Sequence, residues 1–523
     1  MTSKRQRSSF EVQKAFITFL ALLFALAAGG CTVLKPVPPQ PEVLSFTPAA
    51  SGSLAEVSAE ISRIHGPGQS AFMLLIRNDD AMNWRLALVD HATTSIDVQY
   101  FIWQGDEASN LLFNHLLNAA DRGVRVRLLV DDFVLAAKDR DIAAICKHPN
   151  LDIKIFNPGK VRESTLGGIG EFFLYFRELN RRMHNKLLVV DGSMAIVGGR
   201  NIGNPYLGLS RKYNFRDLDV LVAGAVIQEL SHAFDQYWNA ETAYPGAAMA
   251  KVDDPDALRS IRHQVSQRMA ENRETLVSYP LAPRNWEAQL RQLPSRMKTG
   301  EAHFIQDEPD QSSGVEYRLM DMLDYLAKPS HKELIIVTPY LIPVKGFLED
   351  LARLESEGVE VSILTASMGA NNHTIAHSHY KKYRRRILAT GADLYEFRHD
   401  PSSEMRDASD VPPVHSKFLC LHVKALVGDR KRCFIGSLNI DPRAMEINTE
   451  NGLYIQSPEL AEELARQFDL MIAPENAWRV YLTEDGELRW ESSLGTVSSQ
   501  PARGFGQRIG DFFYRLIPIE SQL

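Results

Sequence analysis

Two stretches of the chain, "MHNKLLVVDGSMAIVGGRN" at 183–201 and "HVKALVGDRKRCFIGSLN" at 422–439, carry the same polar residues at the same intervals. From His184 the series runs Lys186, Asp191, Gly198, Asn201; from His422 it runs Lys424, Asp429, Gly436, Asn439. A further His-x-Lys, His415 and Lys417, does not fit, because those intervals put His422 in the Asp place, Asp429 in the Gly place and Arg432 in the Asn place. His415 is therefore the bystander. Two imidazoles, two ammonium groups and two amides suit a phosphate ester: lysine supplies charge, and Asn201 and Asn439 supply donors for nonbridging oxygens. One neutral histidine can attack phosphorus while the other, protonated, gives its proton to the leaving alcohol. The lysines supply the charge a metal would bring, so no metal and no cofactor is expected. His373 and His377 have a helical ligand spacing, but no further ligand accompanies them.

Positioning such groups requires strands. The residues after His184 are apolar, Asp191 and Gly192 make a turn, and "MAIVGG" resumes the apolar run, which predicts a hairpin. Side chains at i and i+2 of a strand share a face, so each His and its Lys point the same way. A hairpin folded about the Asp sets a glycine opposite each histidine. Seven residues of strand span about 23 Å, so Asp191 and Asp429 are turn residues that do not reach their own histidines. The carboxylates that orient the imidazoles are expected from the segments after the hairpins: Asp217 in "FRDLDVLVAG", in preference to Asp219, and Glu450 in "INTENGLYI".

The repetition extends beyond the motifs. "IDVQYFIW" is answered by "LIIVTPYLIP", "DRGVRVRLLVDD" by "SEGVEVSILTAS", and "LDIKIF" by "ADLYEF". Each half alternates strands and helices, which predicts a mixed α/β fold with a helix-covered sheet. The expected organisation is a leader over 1–31, a Pro-rich tether over 32–70, a first domain over 71–250, a charged, partly helical connection over 251–315, a second domain over 316–490 and an amphipathic tail over 491–523.

The leader places basic residues before "AFITFLALLFALAAGG" and Cys31, the pattern of a secretory signal ending at a lipidation site. It predicts a body on the periplasmic side of a bacterial membrane, held by acylated Cys31, with Thr32 favouring the outer membrane. Cys146, Cys420 and Cys433 then allow at most one disulfide, so stability rests on a packed core. A net charge of −7 argues against a nucleic-acid binder.

The duplicated motif resembles the signature of the phospholipase D superfamily, His-x-Lys-x4-Asp-x6-Gly-Ser-x-Asn. The second copy fits at every position, and the first departs at Gly199, where serine is usual. "VQYFIWQGD", "LNRRMHNK", "VGGRNIG", "DLDV" and "GSLNIDPRAMEINTE" further resemble bacterial cardiolipin synthases of the C type. The resemblance implies two α/β/α sandwich domains related by a pseudo-twofold axis, one active site at their interface and a covalent phosphohistidine. It implies His184 as nucleophile and His422 as acid, leaving the reverse open, and a phosphate contact from Ser437 that Gly199 lacks.

For a synthase, a phosphatidyl group passes to phosphatidylglycerol from a second phospholipid, phosphatidylglycerol or phosphatidylethanolamine. The alternatives are a hydrolytic phospholipase D releasing phosphatidic acid, a nuclease, or an inactive lipid-binding lipoprotein. "HYKKYRRRIL" at 379–388 is either a headgroup-attracting patch or a solvated basic face, and "FGQRIGDFFYRLIPI" either an interfacial helix or one docked on the core. The sequence identifies no accessory protein.

Overall fold

In the computed structural model, the described residues are 32–162, 179–309 and 328–522, apart from 136, 516 and 518. The leader with Cys31 and the boundary expected at 316 lie outside them.

The first half forms a sheet in the order Leu151–Phe156, Arg125–Leu135, Ser95–Trp103, Leu187–Val190, Met194–Gly198, Asp219–Gly224 and Ser70–Leu75. The first three of these strands are parallel, and Ser95–Trp103 is buried along most of its length, as expected of a strand covered on both faces. The second half repeats the order with Asp393–Phe397, Glu360–Ala366, Glu333–Val337, Ala425–Gly428, Arg432–Gly436, Asn451–Gln456 and Lys298–Gln306. Lys298–Gln306 is thus the counterpart of Ser70–Leu75, and the two pair with each other through Lys298–Gly300. The second repeat begins well before 316, and this antiparallel contact joins the two sheets into one ladder about the pseudo-twofold axis.

Three apolar layers hold the halves together. The outer face of the first sheet is covered by Asn78–His91, Glu107–Asp121 and Asp139–Ile145, the second by Phe347–Ser356 and Arg384–Leu388. Between the sheets lie Ile227–Trp238 and Pro458–Ile472, whose Leu230, Phe234, Leu464 and Phe468 pack in one cluster with Phe72 and Val220 of the first sheet and Ile335 and Ile455 of the second. Burying this shared layer fixes the two repeats as one body.

Two linking segments are more built than their composition suggests. Within the expected tether, Ser45 is bonded to Asp235, Arg127 donates to the Val43 carbonyl, and Arg125 stacks on Phe46. Residues Ser53–His65 then form a helix that buries Leu54, Val57 and Ile61. In the connection, Ala257–Glu271 inserts Ile261, Val265 and Met269 into the first core, and Glu287–Arg296 packs on the Ser53–His65 helix. Cys146, Cys420 and Cys433 are free thiols.

Candidate active site

Each motif straddles the entry to a hairpin. Leu187–Val190 pairs with Met194–Gly198, closing on Val190 and Met194; Ala425–Gly428 pairs with Arg432–Gly436, closing on Gly428 and Arg432. Both turns therefore hold three residues and pivot on Gly192 and Arg430, one place beyond the Asp. Asp191 and Asp429 take φ of 55° and 52° there, a conformation acidic side chains tolerate in turns. The consequence corrects the predicted pairing: each glycine faces the motif lysine, with the Gly436 amide 3.3 Å from the Lys424 carbonyl, rather than the histidine. The glycines are needed for closeness to the following strand, since a Cβ on Gly198 would lie 2.3 Å from Asp219 Oδ1 and one on Gly436 2.3 Å from the Asn451 carbonyl. The turn acids are structural, as expected. Asp191 accepts from the amides of Thr93, Thr94 and Ser95, and Asp429 from those of His331, Lys332 and Glu333, anchoring each turn to the start of the adjacent parallel strand.

The histidines sit just before the hairpin strands, at the seam between repeats. Phe418–Leu421 runs parallel to Tyr213–Arg216, and the His422 amide donates to the Arg216 carbonyl at 2.8 Å. Across the axis, Met183 bridges Thr449 in parallel, and the His184 amide donates to the Thr449 carbonyl at 2.9 Å. Each segment leading to a histidine is thereby laid beside the segment leading to the other repeat's carboxylate. The pairs cross: His184 Nδ1 lies 2.7 Å from Glu450 Oε2, and His422 Nδ1 2.6 Å from Asp217 Oδ2. Each contact fixes one ring nitrogen and leaves Nε2 for chemistry. Asp219 is occupied elsewhere, 2.8 Å from Arg85 and 3.3 Å from Arg200.

All four motif bases are buried. Lys424 Nζ donates to the His422 carbonyl at 2.6 Å and Lys186 Nζ to the His184 carbonyl. Asn201 Oδ1 accepts from the Ile102 amide at 3.2 Å, while Asn439 Oδ1 has no partner among the described residues. Ser437 departs from expectation. Its hydroxyl donates to Glu450 Oε2 and accepts from the Asn451 amide, so it braces the carboxylate behind His184 instead of facing a phosphate. At the matching place in the first half, a Cβ on Gly199 would lie 2.5 Å from Asp217 Oδ1, and the Leu218 amide binds that oxygen instead. His415 and Lys417 are exposed, outside the site.

Burial dominates the electrostatics. It pushes the His184 imidazole well below its usual range, helped by Lys186, Lys424 and His422, and brings His422 down to about 4 with Lys424 contributing. The crossed pairs place both motifs in one site, and each histidine accordingly feels the other repeat's lysine. Burial also lowers Lys186 to about 7 and Lys424 to about 8. The carboxylates differ: burial raises Glu450 well above the normal range against the pull of Lys186, whereas at Asp217 the opposing effect of burial is outweighed by His422 and Lys424, and the acid is held low.

Several neighbours had no signal in the sequence. Phe101 meets His184 edge-on with centroids 5.0 Å apart; Phe215 and Tyr206 flank His422 at 4.7 and 5.2 Å. Arg443, bonded to Asn180, contributes to lowering His184. His373 and His377 do not form a ligand pair in the site: His377 Nε2 lies 3.1 Å from the Arg384 guanidinium, a poor neighbour for a cation.

Comparison with known proteins follows the same lines. A family model described as "Cardiolipin synthase, PLD-like domain" matches twice, over residues 86–238 and 323–472. Cardiolipin synthase C of Escherichia coli (strain K12) is 32% identical over 470 residues, covering 87% of this chain and 96% of its own length. The major cardiolipin synthase of Bacillus subtilis (strain 168) is 23% identical over 417 residues, covering 79% of this chain and 72% of its own. The crystal structure of phosphatidylserine synthase from Haemophilus influenzae Rd KW20 shares the fold, with a TM-score of 0.53 at 15% identity over 82% of this chain and 92% of that one.

Proposed function

Since the chain belongs to the phospholipase D superfamily, as a cardiolipin-synthase-like phosphatidyltransferase, we propose that it makes cardiolipin from phosphatidylglycerol and a second phospholipid through a phosphohistidine on His184. The observation that carries this reading is the crossed pairing of His184 with Glu450 and His422 with Asp217 around one buried site. His184, neutral because of its burial, attacks the donor's phosphorus through Nε2. His422 is the proton donor, because the ionised Asp217 behind it stabilises an imidazolium and the bound phosphate adds a second negative charge that raises its pKa. The bond from phosphorus to the headgroup oxygen breaks, and the alcohol leaves with the proton from His422. The glycerol hydroxyl of phosphatidylglycerol then enters, gives its proton to His422 and takes phosphorus from His184, restoring both rings. Lys186, Lys424, Asn201 and Asn439 hold the nonbridging oxygens; Glu450 and Asp217 orient the rings.

A phospholipid donor and acceptor would call for work at a membrane surface. The leader and Cys31 support a lipid-anchored body on the periplasmic side, with Thr32 favouring the outer membrane. The test is mass analysis of lipids after purified protein meets phosphatidylglycerol. Diphosphatidylglycerol from wild type and none from His422→Ala is expected; phosphatidic acid without diphosphatidylglycerol overturns the synthase reading in favour of a hydrolase.

A further inference from the structure

The first half of the basic stretch at 379–388 clamps the C-terminal tail, while Arg385 and Arg386 stay exposed. Lys381 Nζ binds Asp511, Lys382 Nζ binds Glu520 at 2.9 Å, and His379 Nδ1 and Tyr383 Oη reach the same glutamate. The tail's helix, Phe505–Tyr514, is therefore docked through its polar side. Asp511, its one acidic residue, is buried and also accepts from Gln500 at 3.1 Å, while Gln507 donates to the Met368 carbonyl. An ordinary surface helix buries its apolar stripe against the core; this one is turned over. At 100° per residue, Phe505, Ile509, Phe512 and Phe513 form one stripe on the side away from Gln507 and Asp511. All four are exposed, Phe505 by 77% and Phe513 by 60%, and Ile517 continues the patch. Arg508 and Arg515 border the stripe along one edge, and the Arg515 guanidinium lies 5.7 Å from the Phe512 ring centroid.

We infer that this outward stripe is the surface by which the folded body lies on an anionic phospholipid bilayer, its aromatic and aliphatic side chains entering the headgroup region. Charge complementarity selects that occupant: the stripe is bordered by arginines, and the helix's single carboxylate is neutralised on the far side, so the face offered outward is apolar and cationic. Continuity with the active site adds a reason. After the helix the chain returns to the seam, where Gln522 accepts from Asn180 at 2.7 Å and its carbonyl accepts from Arg443, the residue whose charge depresses His184. A bilayer held by the stripe thus has a fixed orientation to the folded body and its seam, whereas a flexible anchor near residue 31 alone would leave the orientation free. Among the described residues no helix is long and apolar enough to cross a membrane, so the contact is a peripheral one.

The inference rests on a phospholipid substrate, and two readouts separate its failure from that of the proposed reaction. In the full chain with Cys31→Ser and Cys146→Ser, an environment-sensitive dye on Phe512→Cys should be quenched by spin-labelled lipids in vesicles of phosphatidylcholine and phosphatidylglycerol. Vesicles of phosphatidylcholine alone should quench it less, and a dye on Val277→Cys, exposed on the connecting segment, should not be quenched. This readout needs no catalysis. Second, replacing Phe505, Ile509, Phe512 and Phe513 by serine should lower turnover of vesicle phosphatidylglycerol at least about tenfold, while turnover of a short-chain, monomeric phosphatidylglycerol stays within about twofold. A dye unquenched by vesicles, or one whose emission shifts with protein concentration in the absence of lipid, as a second copy would cause, overturns the inference. So does an equal loss on both substrates, which would make the stripe merely structural.

Discussion

Lys186→Met should make the protein more stable and nearly inactive. The ammonium is fully buried and its pKa is brought from 10.5 to about 7, so holding it charged in the folded state costs about 5 kcal/mol at 1.36 kcal/mol per unit. Lys186 also donates to the His184 carbonyl, a charge-assisted bond whose loss costs roughly 1.5–3 kcal/mol. The net expectation is a gain of about 2–3.5 kcal/mol near or below neutral pH. Because the folded pKa lies below the unfolded one, the unfolded chain binds more protons between them, and wild type gains stability as pH rises from about 7 toward 10.5. The advantage of the variant is therefore complete below about pH 7 and fades as wild-type Lys186 becomes neutral in both states. Lys424, lowered only to about 8, predicts a smaller gain for Lys424→Met. The double variant should gain less than the sum, because each lysine contributes to depressing the other or its histidine. Thermal unfolding of wild type and variants across about pH 6 to 10, beside turnover assays, measures both sides. Activity should drop roughly a hundred- to thousandfold, the scale for removing a preorganised donor. A variant less stable than wild type near pH 6, or a gain independent of pH, would refute the view that the site holds costly charge in readiness for a phosphate.

Glu450→Gln should disable the chemistry of His184 and Asp217→Asn that of His422, each by roughly a thousandfold or more in turnover with the fold intact by circular dichroism. Phosphohistidine trapped by rapid quench should be scarce in both, because the first variant weakens the nucleophile and the second the acid that expels the headgroup alcohol. His415→Ala should retain nearly all activity, while His422→Ala loses at least about a thousandfold; equal losses would undo the assignment of the motif. Gly199→Ser, which restores the usual family residue, should reduce turnover about tenfold by driving a Cβ against Asp217 Oδ1, with little change in KM. A rise in turnover would mean that the hydroxyl takes the bracing role Ser437 has in the other half.

The motif intervals, the doubled α/β architecture and the choice of Asp217 and Glu450 were legible because each depends on local periodicity or on a repeat that can be laid over itself. What escaped depends on three-dimensional register. The hairpin pivots at Gly192 and Arg430 because a three-residue turn closes on Val190–Met194 and Gly428–Arg432, and a one-place shift of pivot moves the facing residue by two. The resemblance implies a phosphate contact from Ser437, yet its hydroxyl direction is decided by the Asn451 amide and Glu450. The start of the second repeat at Lys298 was hidden because that strand keeps its partner pattern without keeping its sequence. The tail docks, as one of its two alternatives had it, but by Asp511 and Glu520 rather than by its apolar side, and the partners of those acids lie more than a hundred residues earlier in the chain.

Duplication alone does not explain why one active site requires both repeats; the crossing does. In an isolated first half, His184 would keep Lys186 but lose Glu450, and Asp217 would lose the imidazole it holds. Each half alone therefore lacks a group that only the other supplies. The parallel pairing of Tyr213–Arg216 with Phe418–Leu421, and of Met183 with Thr449, makes that mutual repair geometrically obligatory, since the same strands that join the halves deliver each carboxylate to the opposite histidine. The symmetry also leaves room for division of labour. With the two frameworks equivalent, what sets the two sites apart is the carboxylate, a glutamate braced by Ser437 and raised by burial in one and an aspartate beside Gly199 held low by His422 and Lys424 in the other.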